Sequence, residues 1–461
     1  MLDIFVFISM MLLLLYIGWR NVKKVNSETA YLLANRSTGL FSLTATLVMT
    51  EFNPSTLIGF SAAGYVAGLY ALFLPFVFFF GLGFYTISVA KKWKQLNGMS
   101  VAELFTMRYG KGVGRLASVF LLLAMLGFSA NYIKSLLFIF HPIFPFLSDT
   151  VFSLVIVLTV LILTLRGGLF SIISTDVVSF IATLIIIPLI FYFSYESSQS
   201  GFQGLQVQFP LEKSKELLPP KYILSLILLT TFTYIAAPWY GQKIFSAKNE
   251  KTAFMAVGLS AILVFFLYSF PLLSVSFLKL KGVVLASPDL AFPYIIKNLL
   301  PDGLRGFSYA LLFAAGITTL SGVWSAMVTM IIADFLGYQD KEARAEKRGI
   351  YLTLIIAVLT YLVSITFIDR ILDKLILANI PVAALSFSLL AGFYWDKASK
   401  VGAISSIITG FIWGSGCYLY FGEKGMYTWY WSFYGIPLIF LVGIVFSYII
   451  PDKSKKPLKR R

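Results

Sequence analysis

The feature that most constrains this chain is a run of about 20 apolar residues, which recurs along its whole length. A stretch of that length crosses a bilayer as a single helix. Hydrophobic residues make up 58% of the 461 positions and charged residues only 13%, with a mean hydropathy of +0.84. These values exclude a soluble globular enzyme, a disordered chain and a coiled coil. The sequence therefore predicts an all-α polytopic membrane protein.

We place thirteen membrane spans in the sequence and number them in chain order. They cover residues 3–19, 40–66, 70–90, 116–140, 150–166, 169–194, 222–244, 252–278, 303–335, 349–368, 372–394, 401–420 and 432–450. The longest outer loop, residues 195–221, is too short for a catalytic domain. We therefore expect one transmembrane transporter domain, residues 1–461, whose function lies between its helices.

The basic residues predict which way the chain is oriented. When alternate loops are assigned to opposite sides, one side receives 26 of the 37 lysines and arginines and the other receives ten. Because such residues collect in cytoplasmic loops, we predict a multi-pass protein of the cell membrane with its N-terminus outside and its C-terminus in the cytoplasm. In a bacterium this is the inner membrane. The basic tail, residues 453–461, is expected to lie near membrane lipid, and no polar domain suggests a nucleic-acid partner.

Reactive side chains are scarce. Cys417 is the only cysteine, which excludes an internal disulfide and a cysteine-based metal site. His141, the only histidine, lies in the loop HPIFPF and is expected to be an ordinary loop residue. Because the sequence offers no cluster of nucleophile, base or metal ligands, we expect neither an enzyme nor a bound cofactor.

Span 2, LTATLVMTEFNPSTLIGFSAAGYVAG, has a proline near its middle. Pro54 removes a backbone donor, and Asn53 before it is pushed away from helical geometry. In hydrocarbon such a break persists only where it lines a cavity or is buried in protein. Glu51 stands beside the break, at an insertion cost of roughly 2.5–3.5 kcal/mol for an ionised group. A functional break is therefore favoured over a simple kink.

Two other spans carry candidate ion-binding groups. In span 9, Ala315, Thr318 and Thr319 share one helix face because they are three and four residues apart. The two hydroxyls either bond their own helix or act as oxygen ligands, and the motif alone favours neither interpretation. In span 6, Asp176 lies about two turns inside the membrane, where it is expected to line water, pair with a cation or serve an ion path.

Span 7 repeats the pattern of span 2. Pro238 interrupts it, and Trp239 and Tyr240 follow. Spans 2–6 and 7–11 each contain five helices, so the second set enters the membrane from the opposite face. Paired breaks of this kind indicate an inverted-repeat transporter with a site at the membrane midplane. The predicted parts are an extra N-terminal span and loop (1–39), a first repeat (40–194), a second repeat (222–394) and two C-terminal spans with the basic tail (401–461).

Taken together, several stretches of the chain resemble the sodium/solute symporter family, which includes sodium/proline, sodium/galactose, pantothenate and sialic acid transporters. The stretches are YLLANRSTG before span 2, TEFNPSTLIGFSAAGY in span 2, STDVV in span 6, GQKIFSAKNEKTA at the end of span 7, and AAGITTLSGVWSAM with Asp334 in span 9. Their order and spacing extend the resemblance over nearly the whole chain. It implies a LeuT-like inverted five-helix repeat with extra flanking helices.

The resemblance also implies a sodium site. Its ligands would be the backbone carbonyls of Met49, Phe52 and Ala315 and the hydroxyls of Thr318 and Thr319. Sodium would serve as the coupling ion. In the same family likeness, Asp176 would lie on the path of sodium toward the cytoplasm, and Glu51 would stand beside the ion site.

The substrate contacts implied by the resemblance are Ser55, Thr56, Lys134, Trp239 and Tyr240. Lys134 in span 4 is equally consistent with a side chain that reaches to the outer interface. Span 3, ALFLPFVFFFGLGF, lacks the polar residues of sugar transporters, and a sugar is therefore disfavoured. A basic residue at Lys134 suggests instead a small carboxylate-bearing solute.

Departures from the family pattern concern the ion site. Ser179 stands where a glutamine is usual, and Gly322 stands where a serine is frequent. The glycine argues against a second sodium site. The predicted function is sodium-coupled import of a small organic solute by alternating access. Two alternatives stay open, namely proton coupling through Glu51 or Asp176, and a sensor that binds solute without transporting it.

Overall fold

A computed structural model describes residues 1–22, 33–96, 98, 100–141, 146–164, 168–198, 200–337, 342–423 and 425–452. Within these ranges the secondary structure is helical apart from one isolated bridge between Thr38 and Ala247. The prediction of an all-α protein is confirmed. The basic tail and part of the YLLANRSTG segment lie outside the described residues.

The helices follow the predicted spans closely. Spans 1 to 6 are Leu2–Val22; Leu40–Glu51 with Pro54–Ala67; Phe76–Tyr85 with Thr86–Ala90 and Lys91–Leu96; Lys111–Phe140; Asp149–Thr164; and Gly168–Glu196. Spans 7 to 10 are Pro220–Tyr234 with Pro238–Ser246; Glu250–Leu280; Leu304–Ile331 with Ile332–Leu336; and Glu342–Thr366. Spans 11 to 13 are Ile371–Leu377 with Ile380–Ala383 and Ser386–Tyr394; Lys400–Phe421; and Tyr427–Trp429 with Tyr430–Gly435 and Ile436–Ile449. Shorter helices between the spans are Ala34–Arg36, Gly68–Phe73, Glu103–Tyr109, Gly201–Gln208, Leu211–Leu217, Pro288–Leu290 and Ala291–Leu299.

The number of long helices is smaller than the thirteen predicted spans. In the described part of the chain, ten helices are long and apolar enough to cross a membrane, or eleven if one bent pair counts as a single span. The two remaining spans are short: span 5 has a helix of 16 residues, and the α-helix of span 3 has ten before a π-helical turn begins. The difference arises because these two spans contain shorter regular helices than a full crossing requires.

Span 9 lies at the centre of the protein. In its most apolar window 94% of the residues are buried, against 11% for span 1, which lies at the periphery. Span 9 packs against spans 1, 4 and 6 and against the first half of span 2. Gly316 permits the close approach to span 4, because a Cβ there would lie 2.5 Å from Leu136 Cδ2. Residues on span 9 therefore face the interior from several sides.

Three spans are interrupted near their middle. The helix of span 2 stops at Glu51 and resumes at Pro54, and that of span 7 stops at Tyr234 and resumes at Pro238. Both breaks were predicted from their prolines. Span 11 also divides, after Leu377 and again after Ala383, although we predicted it as one continuous helix. The signal for the third break is Pro381, in the sequence LANIPVA.

Candidate functional site

The break in span 2 leaves the Met49 and Phe52 carbonyls without their usual helical donors. The amide of Asn53, which would bond the Met49 carbonyl in a continuous helix, donates to Tyr268 Oη at 3.0 Å. The amide of Thr56, which would bond the Phe52 carbonyl, donates to Asn53 Oδ1 at 2.9 Å. Asn53 thereby caps the second half of the span. The Thr50 carbonyl also loses its helical donor, because Pro54 has no N–H. The Met49 and Phe52 carbonyls are the two proposed as sodium ligands.

Span 9 brings hydroxyls to the same point. Thr319 Oγ1 lies 3.0 Å from the Met49 carbonyl and 2.8 Å from the Ala315 carbonyl, and donates toward both. Thr318 Oγ1 lies 3.3 Å from the Ala315 carbonyl. Both threonines are buried. The structure thus places Met49, Ala315, Thr318 and Thr319 in one cluster of oxygen atoms, with Phe52 at the adjacent end of the broken helix.

One turn further along span 2 lies a buried ion pair. Lys243 Nζ is 3.0 Å from Asp176 Oδ2, and the two side chains are 2% and 1% exposed. The ammonium also donates to the Thr46 carbonyl at 2.9 Å and to the Thr50 hydroxyl, and the Thr46 hydroxyl donates to Asp176. Asp176 therefore has a fixed cation. We did not predict Lys243 as a site residue, although it stands in the GQKIF segment of the resemblance.

The inner half of span 7, Pro238–Ser246, also contacts span 9. Gln242 Nε2 donates to Thr329 Oγ1 at 3.0 Å and to Ser325 Oγ at 3.2 Å. Near the same end, Asp334 accepts hydrogen bonds from Ser100 at 2.9 Å and Ser118 at 2.7 Å. These contacts join the end of the domain that we predict to be cytoplasmic.

A cavity of about 80 Å³ lies on the other side of the span 2 break. Its walls come from spans 2, 3, 4, 7 and 11, mostly from the halves predicted to be nearer the outer side. The lining residues are Glu51, Asn53, Thr56, Phe60, Val77, Phe78, Phe128, Tyr132, Leu226, Thr230, Tyr234, Trp239, Leu372, Leu375, Ile376 and Asn379. The cavity is therefore a chamber at the break that combines aromatic rings with polar side chains, namely Glu51, Asn53, Thr56, Thr230 and Asn379.

Glu51 faces this cavity. The Tyr234 hydroxyl donates to Oε2 of Glu51. The other oxygen, Oε1, has no hydrogen-bond partner in the described part of the chain. The resemblance suggested that Glu51 stands beside the ion site, but its contacts are with span 7, whereas the oxygen cluster is formed with span 9.

The structure distributes four of the five expected substrate residues between two environments. Thr56 and Trp239 line the cavity. Ser55 is buried behind it, with its hydroxyl 2.6 Å from that of Ser135. Tyr240 is fully buried against Tyr85, with ring centroids 5.5 Å apart. These two residues support the cavity wall.

The structure places Lys134 away from the cavity, so its expected contact with solute stays a prediction. Its ammonium pairs with Asp149 at 3.5 Å, and its side chain is 20% exposed. Lys134 is absent from the cavity lining. The geometry agrees with a side chain that reaches toward the outer interface, because a long aliphatic stem lets the charge leave the apolar interior.

Several cavity residues were missed by the sequence analysis. Tyr132 lies two positions before Lys134, and Asn379 lies at the unpredicted break of span 11. Tyr234 immediately precedes the span 7 break. Each of the three lies close to a proline break or to a polar position in the sequence, and that closeness could have identified it. The aromatic residues of span 3 gave no signal, because they read as ordinary lipid-facing residues.

Comparisons with known proteins give a consistent result. A sequence model of the sodium:solute symporter family matches residues 31–410. The sodium/pantothenate symporter of Haemophilus influenzae is 24% identical over 412 residues, which cover 84% of each chain. The osmoregulated proline transporter OpuE of Bacillus subtilis is 22% identical over 429 residues, or 88% of this chain and 85% of that one.

Solved structures show a matching fold. A Na⁺-coupled sialic acid symporter in a substrate-bound outward-open state superposes with a TM-score of 0.82 over 99% of both chains, at 16% identity. MhsT in complex with L-phenylalanine has a TM-score of 0.57 over 90% of this chain and 98% of its own, at 13% identity. At these identities the likeness concerns the fold alone. The fold is LeuT-like, as predicted.

Proposed function

This chain belongs to the sodium:solute symporter family, and on that premise we propose that it imports a small organic solute together with sodium by alternating access. The family and the relatives named above are transporters, which supports transport as the activity. The observation that carries the proposal is the oxygen cluster between spans 2 and 9, which adjoins the break that also forms the cavity wall.

The chemistry of this cluster suits sodium. Hard cations take several oxygen ligands at short range, and carbonyls released by a broken helix provide them without a buried carboxylate. The Met49 and Phe52 carbonyls come from the break, and Thr319 joins the first of them to span 9. A bound sodium ion would replace the Thr319 hydrogen bonds as the link between the two spans. Sodium binding would therefore fix the relative position of spans 2 and 9.

Coupling to sodium supplies enough free energy for accumulation. One sodium ion that moves down a potential of −100 mV yields about 2.3 kcal/mol. A tenfold concentration gradient adds about 1.4 kcal/mol. The sum of about 3.7 kcal/mol concentrates a neutral solute several hundredfold.

The contacts of Lys243, Asp176 and Gln242 belong to one conformation of the proposed transport cycle. With the orientation predicted from the basic residues, the cavity faces outside, and the Lys243–Asp176 pair and Gln242 close the path to the cytoplasm. Inward release requires the inner half of span 7 to separate from spans 2, 6 and 9, because these contacts bridge it to all three. Asp176 then meets the departing sodium ion in place of Lys243.

The sodium site is tested by the double variant Thr318→Ala/Thr319→Ala. Purified protein is unfolded by heat in NaCl and in KCl at equal ionic strength. We expect sodium to stabilise the wild-type protein selectively, since a ligand of the folded state raises its stability by mass action. In the double variant the sodium concentration needed for half of that effect should rise about tenfold or more, because two oxygen ligands are lost.

The matched control is Thr360→Ala in span 10. Thr360 is fully buried and bonds the carbonyl four residues earlier, as Thr319 does, but it lies outside the oxygen cluster. Its removal should leave the sodium dependence as in the wild-type protein. A double variant with unchanged sodium dependence, beside a wild-type protein that prefers sodium to potassium, would refute the ligand assignment.

Proton coupling remains the alternative, and one observation favours it. Glu51 is a buried carboxylate at the cavity wall with one unpaired oxygen, and such a group is able to take up a proton during transport. Uptake that is driven by a pH gradient and is indifferent to sodium would support this alternative. Uptake that requires sodium at constant pH would support symport with sodium.

A further inference from the structure

We propose that the solute is a small organic ammonium ion, bound by the Glu51 carboxylate and the aromatic walls of the cavity. This inference rests on the proposed function, because it names the substrate class of the same cavity. It replaces the suggestion of a carboxylate drawn from Lys134, whose ammonium pairs with Asp149.

The first step is the state of the Glu51 side chain. It is 3% exposed and forms part of the cavity wall. Tyr234 donates to one oxygen, while the second oxygen has no hydrogen-bond partner in the described ranges. The side chain therefore carries a buried, unsatisfied acceptor at the wall of the cavity.

The second step is the lack of a fixed cation. The described residues that line the cavity include no lysine, arginine or histidine. The ammonium of Lys243 is bound by Asp176, the Thr46 carbonyl and Thr50. A buried carboxylate without a counter-charge is strongly destabilising, so an ionised Glu51 requires a mobile cation.

The third step separates this cation from the coupling sodium ion. Met49 and Glu51 are two positions apart in the chain, so the two residues lie roughly 200° apart around the helix axis. The Met49 carbonyl contacts Thr319 on span 9, whereas the Glu51 carboxylate contacts Tyr234 on span 7. The oxygen cluster and the carboxylate therefore serve different sides of span 2.

The fourth step is the nature of the other walls. Phe60, Phe78, Phe128, Tyr132 and Trp239 contribute aromatic rings to the lining. Two pairs of these rings are in contact, with centroids 5.7 Å apart for Phe60 and Phe78 and 4.8 Å apart for Phe128 and Trp239. Aromatic faces attract organic cations, most strongly where water is excluded. A solute with only a carboxylate would instead meet Glu51 as a like charge.

The Glu51 side chain and the aromatic rings line one small cavity of about 80 Å³, which suits a compact cationic head group. A primary amine or a trimethylammonium group fits this description. A zwitterion is included in the class when its ammonium end faces Glu51.

The test uses two probes of equal shape that differ in charge. Choline and 3,3-dimethylbutan-1-ol share one outline, but the first has a quaternary nitrogen where the second has a carbon. Thermal stabilisation of the full-length protein is measured against each probe in NaCl. We expect half-saturation by choline at a concentration about tenfold or more below that of the neutral alcohol, because only choline pairs with Glu51. Ethylammonium and glycine betaine extend the panel to a smaller head group and a zwitterion, and propionate is the anionic control.

The variant Glu51→Gln keeps the side-chain shape and removes the charge. It should abolish the preference for choline over the alcohol, while the stabilisation by NaCl over KCl persists, which also shows that the variant is folded. Asp149→Asn is the matched control, since it removes a carboxylate that is 58% exposed and outside the cavity lining. That variant should retain the choline preference.

The outcomes separate the two proposals. A wild-type protein that binds the neutral alcohol as tightly as choline, or a Glu51→Gln variant that keeps the preference, overturns the ammonium inference. So does selective stabilisation by propionate, or no stabilisation by any of the three ammonium probes. A wild-type protein that does not distinguish NaCl from KCl overturns sodium coupling, whatever the probes do.

Discussion

Among the described residues two carboxylates are buried, and they have different partners. Asp176 and Glu51 are 1% and 3% exposed; Asp176 lies against the first half of span 2, and Glu51 is the last residue of that half. Asp176 has an ammonium at 3.0 Å and a donated bond from Thr46. Glu51 has the Tyr234 hydroxyl on one oxygen and no partner on the other.

This difference distinguishes a structural ion pair, at Asp176, from a candidate binding site, at Glu51. The counter-charge of Asp176 belongs to the protein, so the pair holds the inner half of span 7 against spans 2 and 6 without a ligand. Glu51 lacks such a partner and faces a cavity, so either a proton or a cation from solution has to neutralise it. A buried acidic residue in a membrane domain is thus informative only when its partner is known.

The largest effect is expected from Lys243→Met, which removes the cation and keeps the length of the side chain. Asp176 is then buried without a counter-charge. Loss of one partner of a buried pair costs about 3–5 kcal/mol. We expect a large fall in the midpoint of thermal unfolding at fixed NaCl, or a failure to obtain folded protein.

The control for this prediction is the double variant Lys243→Met/Asp176→Leu. Replacement of both members by apolar side chains leaves no buried charge and should restore most of the lost stability. A single variant as stable as the wild-type protein would show that Asp176 does not depend on Lys243. The contrast between the two carboxylates would then disappear.

The sequence alone was sufficient for most of the spans and for the breaks at Pro54 and Pro238, because both depend on local chemistry. A run of apolar residues crosses the membrane wherever it lies in the chain, and a proline removes a backbone donor in any context. The proposed sodium ligands were instead implied by the family resemblance, and they stay a prediction. The break releases the Met49 and Phe52 carbonyls, and the spacing of Thr318 and Thr319 sets their common face.

The cavity was harder to predict, because its walls come from five spans that are distant in sequence. Nothing in the local sequence of Phe78 or Phe128 distinguishes a cavity residue from a lipid-facing one. The Lys243–Asp176 pair joins residues 67 positions apart and was missed for the same reason. Lys134 was equally consistent with a substrate contact and with a side chain that reaches the outer interface, and its pair with Asp149 on span 5 could not be read from either local sequence.

An intermediate effect is expected from Tyr234→Phe, which removes one donor to Glu51 and keeps the ring. A hydrogen bond to a charged group contributes about 1.5–3 kcal/mol, so the free energy of unfolding should fall by about that amount. In a Glu51→Gln background the same substitution should cost only about 1 kcal/mol, because the acceptor is neutral. The two backgrounds form a double-mutant cycle for this contact.

Denaturant unfolding of the four proteins of this cycle measures the coupling directly. A coupling free energy near zero would mean that Tyr234 does not stabilise a charged Glu51. The carboxylate would then be neutral in the folded protein, which favours the proton-coupled alternative over a bound ammonium ion.

The smallest effect is expected from Lys134→Ala, and it tests whether Glu51 truly lacks a fixed cation. Lys134 and Asp149 are 20% and 58% exposed, and ion pairs of this kind contribute about 0–1 kcal/mol. The variant should therefore unfold close to the wild-type temperature, with unchanged half-saturation by choline in NaCl. A rise of about tenfold in that concentration, at unchanged stability, would place Lys134 in contact with the solute. The cavity would then bind a zwitterion between two fixed charges, and Glu51 would account for only one end of it.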